Sequence, residues 1–135
     1  MTAITNESRN VEATLAIYAA VPEGDLQTAL DHLDPQVRIT YYGTAEIPYA
    51  GDYHGIDEAV TFFTKVGQTI AITEMEAWKF IEQGDDLATW GRQRFRRLDT
   101  GHEWEAEVAH IITLRDGRWL HFRGFMNSAL TLKAC

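Results

Sequence analysis

Residues 87–114, LATWGRQRFRRLDTGHEWEAEVAHIITL, decide the fold of this chain, because they alternate in character on both sides of a turn sequence, Thr100-Gly101. Arginines occupy positions 92, 94 and 96 before the turn, and glutamates occupy positions 103, 105 and 107 after it. Side chains alternate between the two faces of a strand, and antiparallel pairing places these two rows on one face. The stretch predicts a β-hairpin with a charged outer face, where exposed ion pairs compensate one another. None of the three glutamates is therefore favoured as a catalytic acid.

The opposite face of the same hairpin is predicted to be the inner face of a sheet. It carries, in chain order, Thr89, Gly91, Gln93, Phe95, Trp104, Ala106, Val108 and His110. A further strand is expected near 118–127, after the turn at Asp116-Gly117. Its parity turns inward Leu120, Phe122, Gly124 and Met126. A mostly apolar surface with a few polar groups is typical of a pocket for a small apolar organic ligand.

The outward residues of this last strand are unusually aromatic for a solvent-facing surface. Parity turns Trp119, His121, Arg123 and Phe125 outward, and Trp90 belongs to the same face. An exposed apolar patch of this kind indicates a protein interface, so we expect a homodimer formed through the outer face of the sheet.

Three helices are predicted before these strands. The first starts near Glu7 and stops before Pro22, the second is capped by Asp25 and ends at Pro35, and the third covers about 57–66. Their buried faces are expected to hold Val11, Leu15 and Tyr18, then Leu26, Leu30 and Leu33, then Ile56, Val60 and Phe63.

The remaining segments complete the predicted topology. A β-rich stretch, VRITYYG (37–43), is followed by a loop, TAEIPYAGDYHG (44–55). Strands are expected near 73–82, 87–97, 103–114 and 118–127. Helices first and an antiparallel meander later indicate an α+β fold, in which the helices cover one face of a sheet.

Composition sets the broad class. The chain has 135 residues, 45% hydrophobic and 24% charged, which predicts one globular domain over 1–135. A formal net charge of −8 argues against nucleic-acid and anionic-membrane partners. No apolar run reaches the roughly 18 residues of a membrane span, and the start shows no signal-peptide pattern. The lone cysteine, Cys135, permits no internal disulfide, which fits a reducing compartment such as the cytoplasm.

Four segments together resemble the nuclear transport factor 2-like superfamily, in its SnoaL-like branch. They are GDLQTALDHLDPQVRITYYG (24–43), IPYAGDYHGIDEAVTFF (47–63), TGHEWEAEVAHIITLRDGRW (100–119) and HFRGFMN (121–127). The resemblance extends to polyketide cyclases, ketosteroid isomerases and limonene-epoxide hydrolases. It implies a cone-shaped, cystatin-like fold, with a strongly bent antiparallel sheet wrapped around about three N-terminal helices and a pocket between them. It also implies a dimer that needs no cofactor, although some relatives are non-enzymatic, and fold alone does not fix function.

The catalytic acids of these relatives are missing here. The cyclases and epoxide hydrolases place a catalytic carboxylate where this chain has Gly124, and Asn127 replaces a second acid. The Arg-x-Asp pair of the epoxide hydrolases falls either on Gly91 and Gln93 or on 92 and 94, and neither register supplies an aspartate. Epoxide hydrolysis by that residue set is therefore not expected.

The ketosteroid isomerase set is matched only in part. Its general-base aspartate matches Tyr41, its oxyanion-hole aspartate matches His110, and its first-helix tyrosine matches Tyr18. We expect His110 to be the acid/base or oxyanion donor, since an imidazole titrates near neutrality, although it could instead be held for structure. Tyr41 is the second catalytic candidate, or else a roof of the pocket. Tyr18 and Gln93 are expected to orient the ligand, although Tyr18 could simply pack its helix.

The rest of the predicted ligand wall is apolar and consists of Phe95, Trp104, Val108, Phe122, Gly124 and Met126. The other histidines, at 32, 54, 102 and 121, are interpreted as loop or surface residues. Their spacing shows no metal-ligand pattern, so no metal is expected.

Three functions remain open from the sequence. The leading hypothesis is a cofactor-independent isomerase, cyclase or dehydratase that acts on an apolar oxygenated ring compound. The alternative is a non-catalytic ligand-binding or accessory domain, which the glycine at position 124 favours. A third is an assembly module built on the outer aromatic patch.

Overall fold

Helices and strands follow one another in the order that the sequence predicts, with one additional strand. The computed structural model describes residues 2–126, and their side chains at 9–76 and 78–126. Asn127 and Cys135 lie outside the described residues. The elements are α1 (Thr2–Ala20), α2 (Leu26–Asp31), β1 (Leu33–Tyr41), β2 (Gly51–His54), α3 (Gly55–Thr69), β3 (Ile70–Gln83), β4 (Asp86–Arg97), β5 (Glu103–Arg115) and β6 (Arg118–Met126).

The strands form one six-stranded sheet in the order β2-β1-β6-β5-β4-β3. The sheet is large, open and curved, with three helices, so the expected α+β cone is confirmed. One pair departs from the antiparallel expectation, because β1 and β6 run parallel. Parallel neighbouring strands need a long connection, and here the connection contains every element from β2 to β5.

The charged ladder on the β4–β5 hairpin is confirmed. Arg92 faces Glu107, Arg94 faces Glu105, and position 96 faces position 103 across the strand pair. Arg92 also binds Glu76 on β3, with 2.6 Å between Nη2 and Oε1. All of the alternate inner positions from Thr89 to His110 are buried, so the predicted division of the hairpin into two faces holds.

Side-chain burial corrects two predicted helix faces. In α1, Leu15 is 43% exposed, whereas Ala13, Thr14, Ile17 and Tyr18 are buried. In α3 the buried residues are Ala59, Phe62 and Val66, and the predicted Ile56, Val60 and Phe63 are only half-buried. Phe62 sets the rotation of α3, because its ring packs against Tyr41 and Tyr53 at centroid distances of 6.0 and 5.2 Å.

The segment around α2 is also corrected. Helix α2 ends at Asp31, so Leu33 and Pro35 belong to β1 rather than to the helix. Pro35 is tolerated there because the β1–β6 register shifts between Leu33 and Arg38, leaving the proline outside the regular ladder. The predicted loop 44–55 contains β2, which pairs with β1 and places Asp52 beside Arg38 at 2.9 Å.

Trp119 was predicted to face outward, and this is wrong. Its side chain is 2% exposed, and its indole Nε1 donates a hydrogen bond to Thr14 Oγ1 at 3.1 Å. The cause is a bulge in β6: Thr113 faces His121 and Leu114 faces Trp119, so Leu120 is an extra residue. One extra residue reverses the side-chain parity of the strand, and it leaves Leu120 half-buried.

Within residues 2–126, no helix combines the length and the apolar character needed to cross a membrane.

Candidate functional site

A cavity of about 70 Å³ lies between α1, α3 and the inner face of the sheet. Its polar lining residues are Tyr18, Tyr41, Tyr49, Gln93 and His110. The apolar ones are Ile17, Val21, Phe62, Phe63, Val66, Ile70, Ile72, Met75, Phe95, Trp119, Phe122 and Met126. No Asp, Glu, Lys or Arg occurs among these lining residues, so the wall of the cavity carries no formal charge when His110 is neutral.

A hydrogen-bonded pair, the Tyr18 hydroxyl and His110 Nδ1, joins α1 to β5 at this cavity. Burial lowers the pKa of His110 from 6.5 to about 3. Burial also raises the pKa of Tyr18 well above its usual value. Both groups are therefore neutral at physiological pH, and the imidazole acts as a hydrogen-bonding group rather than as a cation.

Aromatic rings surround this pair and explain why the imidazole stays uncharged. Trp78 stacks on Tyr18 with ring centroids 4.7 Å apart, and its centroid lies 5.5 Å from that of His110. Phe122 contacts the imidazole from the sheet at a centroid distance of 4.7 Å. The surroundings remove water without supplying a counter-charge, and desolvation of this kind disfavours the protonated form.

Two glycines of the inner face lie directly beneath aromatic rings. A Cβ added to Gly91 would lie 2.9 Å from the Trp78 ring and 2.8 Å from the backbone oxygen of Glu76. A Cβ added to Gly124 would lie 2.7 Å from Cδ2 of Tyr41. Tyr41 faces Gly124 in the β1–β6 pair, so the ring fills the space where the resemblance places a catalytic carboxylate. Gly124 tolerates a side chain only if the Tyr41 ring moves, and Gly91 only if both the Trp78 ring and the Glu76 backbone move.

Polar groups on the inner face of the sheet remain available to a ligand. Gln93 is 6% exposed and lines the cavity, and its amide makes no hydrogen bond to the residues whose side chains are described, 9–76 and 78–126. His110 is 5% exposed, and its Nε2 likewise has no partner among those residues. Buried polar groups are normally satisfied, so an amide and an imidazole nitrogen at one cavity indicate a site for an oxygen-bearing ligand.

The structure brings most of the predicted site residues together, with three exceptions. Tyr18, Tyr41, Gln93, Phe95, His110, Phe122 and Met126 all line the cavity. Trp104 does not, because it stacks behind Phe95 at a centroid distance of 5.1 Å. Val108 is buried in the core, and Gly124 is covered by Tyr41.

The sequence reasoning missed the residues that α3, β3 and the loop before β2 contribute. Tyr49 packs edge-on against Tyr41 at 5.1 Å, although 44–55 was expected to be only a loop. Trp78 was overlooked because it lies in a bulge, where 77 and 78 together face Gly91. A tryptophan and a glycine on adjacent predicted strands were the available signal. The remaining histidines lie away from the cavity, and His54, for example, contacts Asp52 at 3.1 Å with 61% of its side chain exposed.

Solved structures define the class of this fold. The chain is similar to a nuclear transport factor 2-like protein of unknown function from Burkholderia pseudomallei, with 28% identity, coverage of 94% of this chain and 97% of that one, and a TM-score of 0.82. It is also similar to TerC, crystallised with polyporic acid, at 24% identity, 94% and 98% coverage, and a TM-score of 0.81. A protein from Jannaschia, provisionally named a SnoaL-like polyketide cyclase, shows 17% identity, 94% and 91% coverage, and a TM-score of 0.76. This is the nuclear transport factor 2-like fold.

The family follows from the sequence itself. The model of the SnoaL-like domain matches residues 14–122, which is most of the chain and includes α3, β3, β4 and β5 entirely. The chain therefore belongs to the SnoaL-like domain family, as the four segments indicated. No curated protein matches the sequence significantly.

Proposed function

We propose that this protein is an isomerase or cyclase that binds an apolar, oxygenated ring compound and moves a proton next to its carbonyl group. The neutral Tyr18–His110 pair carries this proposal, because it places a hydrogen-bonding imidazole on a cavity whose other walls are mostly aromatic and aliphatic. Proton transfer of this kind needs donors from the chain and a water molecule as the acceptor of the α-proton, so no cofactor enters the proposal. Relatives of similar fold that are provisionally named polyketide cyclase and isomerase agree with this reaction class.

The depressed pKa of His110 narrows its role. A histidine that holds a proton only below about pH 3 is a weak base, because the buried site does not stabilise the imidazolium. It is better suited to donate from Nε2 to the carbonyl oxygen while Nδ1 accepts from Tyr18, and the water molecule takes up the α-proton. Gln93 can donate to the same ligand from the adjacent strand. Donors fixed in a dry site stabilise a developing enolate more than they stabilise the ground-state ketone.

Enolisation can be measured without knowing the natural substrate. We would follow exchange of the α-protons of 2-tetralone in D₂O by NMR, with the wild type and His110→Ala. We expect His110→Ala to lower the enzyme-dependent rate by roughly two to three orders of magnitude, because it removes the donor to the developing enolate oxygen. Exchange at the wild-type rate in a folded His110→Ala protein would remove His110 from the mechanism.

A second candidate function is ligand binding without chemistry. The observation that favours it is the uncharged cavity wall, which offers no carboxylate base, together with the Tyr41 ring over Gly124. This function predicts that 2-tetralone or polyporic acid binds and quenches tryptophan fluorescence, and that the bound ketone exchanges no faster than in buffer. TerC was crystallised with polyporic acid, which makes that compound a reasonable probe here.

We also propose a homodimer, and the structure changes which residues are expected to form its interface. With Trp119 buried, the exposed apolar residues of the outer face include Ile81, Trp90, Ile111 and Phe125, with Tyr42 stacked on Phe125 at 4.8 Å. Trp90 and Phe125 both face Ala109, so the patch crosses three strands. We expect a dimer by sedimentation analysis, and a monomer for Trp90→Arg/Phe125→Arg. A wild-type monomer at high concentration would reject the interface.

A further inference from the structure

A second recess lies directly beside the cavity, on the helical side of the molecule. This outer groove has a volume of about 210 Å³ and lies between α2, with the turn that precedes it, and α3. Leu26 and Ala29 form one wall, and Gly67 lies on the other. Val21 and Phe63 line both the cavity and the outer groove, so these two side chains are the partition between them. Both are half-buried rather than locked into the core.

The volume of the cavity shows why the partition matters. The cavity measures about 70 Å³. An engineered protein cavity of about 150 Å³ is known to hold one benzene molecule. A ring compound therefore needs more space than the cavity provides, and the neighbouring space lies behind Val21 and Phe63. Since the sheet side is filled by rings that rest on Gly91 and Gly124, the helical side is where the cavity can enlarge.

The chemistry of the outer groove defines what can occupy it. Its one charged residue, Asp25, is already engaged as the cap of α2, accepting hydrogen bonds from the backbone N–H and the hydroxyl of Thr28 at 3.2 and 2.6 Å. The other lining groups are aliphatic, aromatic or glycine, apart from the hydroxyl of Thr64. An uncharged aliphatic chain suits this lining, whereas an anionic group would meet the Asp25 carboxylate.

We infer that the cavity and the outer groove form one binding site for a ring ketone with an aliphatic substituent, with the ring at His110 and the chain passing Val21 and Phe63 into the groove. This inference rests on the proposed function, because it uses the same cavity for the ring. It adds a substrate class, alkyl-substituted or prenyl-substituted rings, and assigns α2 and α3 a role in chain-length selection.

Gly67 offers a way to close the groove selectively. A Cβ added at Gly67 meets no atom within 4 Å, so Gly67→Leu projects into open space without disturbing the cavity. Gln68→Leu, at the next position of α3, adds the same side chain at an exposed site and is the matched control. The probes are acetophenone, butyrophenone and hexanophenone, which share one ring and carbonyl and differ only in chain length.

The measurement is the dissociation constant of each probe, from tryptophan fluorescence. In the wild type and in Gln68→Leu we expect Kd to fall about fourfold for each added methylene that is buried. In Gly67→Leu we expect this chain-length dependence to disappear, while acetophenone still binds. If acetophenone binds but the three proteins share one chain-length dependence, or show none, the groove inference fails and the proposed function stands. If no alkylphenone binds to the wild type, both fail.

Discussion

The two faces of the β4–β5 hairpin differ in how they accommodate charge. On the outer face, Arg92 and Arg94 lie opposite Glu107 and Glu105, so each charge is in contact with water and has a neighbour of opposite sign. On the inner face, one residue away along each strand, polar side chains are buried and uncharged. His110 shows the consequence, because burial alone lowers its pKa to about 3. The difference teaches that the sheet separates a surface tolerant of charge from one that excludes it.

Placing a charge on the inner face should produce the largest effect. Gly124→Asp puts a carboxylate beneath the Tyr41 ring. The added Cβ alone would lie 2.7 Å from Cδ2 of Tyr41, so the variant combines a clash with an unpaired buried charge. We expect the free energy of unfolding to fall by about 3 kcal/mol or more, measured by urea denaturation. Relative to Tyr41→Ala, the double variant Tyr41→Ala/Gly124→Asp should lose less stability than Gly124→Asp loses relative to the wild type, because the clash is absent. Gly67→Ala, at an open helical position, is the control and should be neutral or stabilising. Wild-type stability in Gly124→Asp would show that the inner face accepts charge.

Lowering the pH tests whether the inner face excludes charge, without a substitution at the glycine. The pKa of His110 is about 3 in the folded protein and 6.5 when unperturbed, so the unfolded chain binds more protons between these values. Stability contributed by this group is therefore complete above pH 6.5 and is lost as the pH falls toward 3. Between pH 6 and pH 4 we expect the wild type to lose about 2 kcal/mol more than His110→Gln.

The control for this comparison is an exposed residue that carries no titratable group. Gln68→Leu should follow the wild-type pH dependence, because it adds and removes no ionisable side chain. Parallel stability curves for the wild type and His110→Gln would mean that the buried imidazole does not resist protonation.

Removing one hydroxyl from the inner face should have a smaller effect. Tyr18→Phe keeps the ring stacked on Trp78 and leaves His110 Nδ1 without its partner. We expect a loss of about 1 to 2 kcal/mol in the free energy of unfolding, the usual penalty for an unsatisfied buried group. Tyr42→Phe, at an exposed tyrosine, should change stability little. Equal losses in the two variants would indicate that the Tyr18–His110 hydrogen bond contributes nothing specific.

The outer face should show the smallest effect of all. Glu105 lies 3.9 Å from Arg92 and 3.8 Å from Arg94, and 40% of its side chain is exposed. We expect Glu105→Gln to lower the free energy of unfolding by less than about 1 kcal/mol, with the difference shrinking as salt is added. A loss that is larger than that of Tyr18→Phe, or insensitive to salt, would reverse the contrast between the faces.

The sequence predicts this contrast well where strand parity runs without interruption. From Thr89 to His110 every inner position is assigned correctly, because β4 and β5 pair without a bulge. Prediction fails at bulges, where parity reverses locally. The extra residue Leu120 reverses the parity of β6, so Trp119 lies in the core. The bulge at 77–78 places Trp78 over Gly91. Neither insertion leaves a mark in the alternation of residue types.

The cavity was predictable in its sheet wall but not in its helical wall. Tyr18, Gln93 and His110 were found from parity and from the resemblance, and all three line the cavity. The rotation of α3, which points Phe62 into the core and leaves Phe63 at the partition, depends on packing against Tyr41 and Tyr53. Apolar residues adjacent in sequence, such as 62 and 63, cannot be ranked by periodicity alone when both suit a buried face.

The parallel β1–β6 pair has a consequence for the order in which this chain folds. Residues 42–117 separate its two strands in the sequence, so their contact closes a very long loop. Long-range pairing of this kind slows folding, because the entropy of closure precedes the gain from contact. Until β6 has been synthesised, β1 can pair only with β2, and its other edge stays open. An open strand edge can pair with another chain, so the late β1–β6 contact leaves β1 exposed to such pairing during synthesis.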